Sequence, residues 1–60
     1  MLLKFMGEEG SMGLRHGDVY ECNIATIPPY VWIAVRMPSG GSITCPYSSL
    51  RMLQNEWHEV

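Results

Sequence analysis

At 60 residues the chain has the length of one small domain, and a domain of that size buries only about 60% of the surface its unfolded chain exposes. Apolar residues at 47% supply one compact core and exclude a disordered tail, while a charged fraction of 17% and a net charge of -2 exclude the dense basic composition of most nucleic-acid binders. No stretch approaches the roughly 20 apolar residues that span a bilayer, and Met-Leu-Leu-Lys-Phe-Met-Gly is too short for a signal peptide, so the expected location is the cytoplasm with no membrane partner.

Residues 1–60 read as a single domain. Leu2 to Met6 are expected to form a first strand, with Leu3 and Phe5 on one face and Lys4 on the other. A polar loop follows, punctuated by Gly7, Gly10 and Gly13, and the turn from Leu14 to Asp18 introduces a second strand. There Tyr20, Cys22 and Ile24 share one face and Val19, Glu21 and Asn23 the other, the alternation of a half-buried antiparallel strand. Pro28 and Pro29 are expected to end it, because proline brings no N–H to a ladder. Tyr30 to Met37 carry the clearest strand pattern, with Val31, Ile33, Val35 and Met37 toward the core and Tyr30, Trp32, Ala34 and Arg36 outward. Pro38-Ser39-Gly40-Gly41 makes a tight hairpin connection to a short fourth strand, Ser42 to Cys45, which Pro46 is expected to stop. Tyr47 to Leu53 form the one helical candidate, a turn or two capped by Ser48 or Ser49 with Leu50 and Leu53 facing inward. Glu56 to Val60 would return as a last strand with Trp57 closing the core. This order describes an all-β fold, a small five-stranded barrel or orthogonal sandwich with a short helical turn before the last strand.

Three segments carry a resemblance. Leu14-Arg15-His16-Gly17-Asp18-Val19-Tyr20-Glu21-Cys22 resembles the diverging turn of an SH3 domain, Tyr30-Val31-Trp32-Ile33-Ala34-Val35 lies where such domains carry an aromatic-rich third strand, and Pro46-Tyr47-Ser48-Ser49-Leu50 is similar to the turn before their final strand. Lys4-Phe5-Met6 replaces the usual Ala-Leu-Tyr motif, and Glu8 and Glu9 are the only acids of the following loop. The chain therefore looks more like a small bacterial or prophage-encoded SH3-like barrel protein than a peptide-binding signalling module. The resemblance implies that Trp32 and Pro46 line a groove with Tyr47 as aromatic neighbour.

Tyr30, Trp32, Pro46 and Tyr47 are accordingly the candidate protein-binding residues. Outward aromatics on a strand suit three roles, contact with a ligand, self-association as a dimer, and capping of the barrel. The leading expectation is a small protein-interaction module whose partner is another protein or a second copy. The alternatives are a barrel that stacks single-stranded nucleic acid on Trp32 and Tyr30 beside Arg36, Lys4 or Arg51, and a structural component of a phage particle or other assembly.

Chemistry-bearing patterns are lacking. The serines sit in no Gly-x-Ser-x-Gly elbow, the glycine-rich loop lacks the Lys-Ser/Thr of a phosphate loop, and the adjacent Glu8 and Glu9 hold no fixed catalytic separation. His16 and His58 show no ligand spacing with Cys22 and Cys45, so no metal or other cofactor is expected and the chain does not read as an enzyme. The two cysteines read as free thiols, with a bridge the less favoured alternative. Asp18 is expected to accept a turn hydrogen bond.

Overall fold

Period-two alternation decides where this chain is extended, and a few glycines and one serine decide where it turns. In a computed structural model covering residues 1–60, the strands are β1 (Leu2–Phe5), β2 (Val19–Ile27), β3 (Tyr30–Arg36), β4 (Ser42–Tyr47) and β5 (Trp57–Glu59). A 3-10 turn lies at Ser11–Gly13, and one helix, α1 (Leu50–Glu56), runs directly into β5. All strand pairings are antiparallel, and the order across the sheet is β4-β3-β2-β1-β5.

The sheet is open, which corrects the expected SH3-like barrel, and the resemblance to small bacterial or prophage barrel proteins falls with it. Closure would require backbone bonds between β4 and β5, the two edges, and no such ladder forms. The physical reason lies in the segment between them. Ser48 and Ser49 leave β4, the Ser49 hydroxyl caps α1 by accepting from the Met52 N–H at 3.2 Å, and the helix packs against β3, β4 and β5. β5 comprises three residues, and all three pair with β1. The turn or two of helix expected at 47–53 is found three residues later as α1, so the fold is an open five-stranded sheet with one helix on its core face and not a closed barrel. Leu53 is buried on that helix, whereas its expected companion Leu50 is 47% exposed.

Of the prolines expected to end strands, Pro28 and Pro29 do so and Pro46 does not. β2 ends at Ile27, at the Pro28-Pro29 turn, whereas β4 runs through Pro46 to Tyr47. On an edge strand alternate N–H groups point away from the sheet, so a proline there costs no ladder bond.

The core is one cluster on the inner face. Leu3, Phe5, Leu14, Tyr20, Cys22, Val31, Ile33, Val35, Leu53 and Trp57 are buried in it, with Ile24, Met37, Ile43, Cys45 and Tyr47 at its margin. The expected inward sets of β1, β2 and β3 are those found. Cys22 and Cys45 are both free thiols; burial, opposed in part by the Met1 ammonium, pushes the Cys22 thiol up to about 11. Asp18 closes its turn through the backbone, with its N–H on the Arg15 carbonyl at 3.2 Å and its carbonyl accepting from Phe5 at 2.9 Å, and its carboxylate takes no hydrogen bond.

Gly7 is required by packing. A Cβ there would lie 2.5 Å from Phe5 Cζ, inside the contact distance of any two carbons, and Phe5 is itself locked in the core. Gly7→Ala should therefore destabilise the domain by about 1–3 kcal/mol, as overpacking does, read as a lowered urea midpoint at unchanged slope. An unchanged midpoint would mean that Phe5 is free to move aside.

Candidate functional site

Directly opposed residues of antiparallel strands present their side chains on one face of the sheet. Four rows therefore lie on the outer face, away from α1, three of them crossing β2, β3 and β4 and one crossing β2 and β3 alone. Ile27 opposes Tyr30; Ala25, Trp32 and Pro46 form the second row; Asn23, Ala34 and Thr44 the third; Glu21, Arg36 and Ser42 the fourth. The surface grades from apolar at the Pro28-Pro29 end to polar at the other.

The apolar end is built around two rings. Tyr30 and Trp32 meet edge to face, with centroids 6.1 Å apart and planes at 79°. Trp32 is half-buried between Ala25 and Pro46, Tyr30 is 46% exposed, and Ile27 beside it is 59% exposed. Three of the four expected site residues, Tyr30, Trp32 and Pro46, are thus brought together. Ile27 is an addition. Its signal was present in the sequence, because outward positions continue from Asn23 through Ala25 to Ile27 if the strand is allowed to reach Pro28.

Tyr47 is not part of this face. It opposes Val31 on the core side, where its hydroxyl donates to Glu56 Oε1 at 2.7 Å and accepts from Trp57 Nε1–H at 3.1 Å. Burial, followed by the hydrogen bond to Glu56, raises its phenol well above the ordinary range. Reading Pro46 as a strand terminator hides this, since counting it as a strand residue sends the next side chain to the opposite face.

At the polar end, Glu21, Asn23, Ala34, Arg36 and Ser42 line an open depression of ≈ 520 Å³. The Met1 ammonium donates to Glu21 Oε2 at 2.6 Å and to the Cys22 carbonyl at 2.8 Å. That ammonium, chiefly through the hydrogen bond and with a smaller contribution from Arg36, holds the Glu21 carboxyl below its usual range. The Arg36 guanidinium makes no ion pair; the two ion pairs of the structure are Met1–Glu21 and Arg15–Glu9.

The cations invoked for nucleic-acid binding do not gather. Arg36 lies on the outer face of β3 and Lys4 on β1, two strands away, or roughly 10 Å at ordinary strand spacing. Arg51 is on α1, against the other face. His16 is held in the loop before β2, its N–H on Glu9 Oε1 and its Nδ1 beside the Gly7 carbonyl, both at 2.9 Å. No three His, Cys, Asp or Glu side chains come together as a metal site. The chain matches no protein-family model, no curated protein and no solved structure.

Tyr47→Phe removes a hydroxyl that serves both Trp57 and Glu56 and should cost about 1–3 kcal/mol at neutral pH, the penalty of leaving partly buried polar groups unpaired. It should also change the alkaline limb. The folded protein keeps the Tyr47 proton where the unfolded chain, with a phenol near 10, releases it, so stability falls as pH rises above about 10. Urea unfolding at neutral pH and in this alkaline range should show a shallower decline for the variant; parallel declines would contradict the buried phenol.

Proposed function

We propose that this domain is a protein-interaction module whose docking surface is the outer face around Ile27, Tyr30, Trp32 and Pro46, and that it acts by binding and not by catalysis. The observation that supports this reading is the exposure of a contiguous apolar cluster on a rigid strand pair, remote from the aromatic cluster that stabilises the fold. Tyr and Trp are the residue types enriched at protein interfaces, where large rings give contact area at little entropic cost. A second copy of the chain satisfies the same chemistry as a different protein. Dispersal of Arg36, Lys4 and Arg51 disfavours the nucleic-acid alternative, which needs cations beside its stacking rings. No helix is long and apolar enough to cross a membrane. We further propose a cytoplasmic location, the setting in which thiols such as Cys22 and Cys45 stay unbridged.

The test is quantitative capture from the source cell with the wild type, Trp32→Ala and Ile27→Ser. The reading expects a partner, or the chain itself, to be retained by the wild type and reduced about tenfold or more by Trp32→Ala, the loss typical of an interface anchor. Far-ultraviolet circular dichroism should be unchanged, because both side chains lie outside the core. An identical captured set for all three proteins would refute the assignment, as would micromolar binding of a single-stranded oligonucleotide that quenches Trp32.

A further inference from the structure

The outer face joins an apolar cluster to an unbalanced charge. Trp32, Ala34 and Arg36 project on the same side of β3, so the aromatic cluster and the polar depression are one continuous surface. Within the depression Glu21 lies directly across the ladder from Arg36, but its carboxylate is engaged by the Met1 ammonium; the Arg36 guanidinium makes no ion pair, and Asn23 and Ser42, two uncharged hydrogen-bonding side chains, line the same depression. Guanidinium groups bind carboxylates through paired N–H donors and cannot lose their charge.

We propose, resting on the protein-docking reading of this face, that its partner is an extended protein segment carrying an apolar side chain over Trp32 and an acidic side chain on Arg36. The two anchors are four positions apart on β3, roughly 13 Å at about 3.3 Å per residue. In an extended partner, residues four apart also lie on one face, so the recognised pattern is an apolar residue and an Asp or Glu at i and i+4. The arginine supplies selectivity and the aromatic cluster supplies most of the contact area. A basic segment would meet like charge at Arg36.

The experiment is a titration of isotope-labelled protein, followed by NMR, with three blocked peptides, Leu-Thr-Ser-Thr-Glu, Leu-Thr-Ser-Thr-Gln and Leu-Thr-Ser-Thr-Lys, at millimolar concentration. The glutamate peptide should shift both the Trp32 indole and the Arg36 Nε–H resonances and bind about two- to fivefold more tightly than the glutamine peptide, the range of an exposed ion pair. The lysine peptide should bind most weakly. Arg36→Gln should abolish the preference, and Arg36→Glu should reverse it in favour of lysine. Equal affinity of the three peptides for the wild type, with Trp32 still shifting, would overturn the acidic preference and leave the docking face standing. The absence of any shift at Trp32 would overturn the extended-segment proposal, while loss of a captured partner in Trp32→Ala would still uphold the face.

Discussion

Trp57 is the side chain on which the remaining structure depends. It ends α1, its N–H bonding back to the Leu53 carbonyl, and it begins β5 by pairing with Phe5 of β1. Its ring is 2% exposed, packs on Phe5 at 5.0 Å and meets Tyr20 edge to face at 6.1 Å. Its indole N–H then reaches Tyr47 on β4, so that one residue links the helix, both edge strands and the second strand. An open sheet of 60 residues has little apolar area to spare, and one large ring at the meeting point of these elements does what backbone closure does in a barrel.

Anchoring by side chains has a consequence for the other face. Because β4 and β5 are joined on the core side, that link does not call on the outer surfaces of β2, β3 and β4. Trp32, half-buried, and Tyr30, exposed, are free to be large there. The two tryptophans thus have opposite assignments, Trp57 inward as the centre of the core and Trp32 outward as the centre of the proposed docking face.

Much of this arrangement is legible in the residues. Alternation in Leu2–Phe5, Tyr20–Ile24 and Tyr30–Val35 reports local burial, and burial on one face of a sheet has period two, so the inward sets can be read from the sequence. Closure cannot, because it depends on whether β4 and β5 meet, a contact between segments whose spacing is set by the helix between them. The Ser49 cap and three residues of β5 decide that outcome, and neither is an alternation signal. Pro46 shows the limit at the candidate site. Its lack of an N–H argues for termination only if the strand is central, and its edge position, a property of the whole sheet, reverses that inference and carries Tyr47 to the core. Trp32, Tyr30 and Pro46 remain together because two of them share a strand and the third lies directly across the ladder.

The division between an inner, structural tryptophan and an outer, available one should be visible as different hydrogen exchange at the two indole N–H groups. Trp57 Nε1–H donates to Tyr47 within the partly buried cluster, whereas Trp32 Nε1–H has no partner in the protein. At neutral pH the Trp57 indole should exchange about a hundredfold more slowly than that of Trp32 or slower still, opening only with the core. Equal rates, or greater protection at Trp32, would mean that the two tryptophans do not divide in this way.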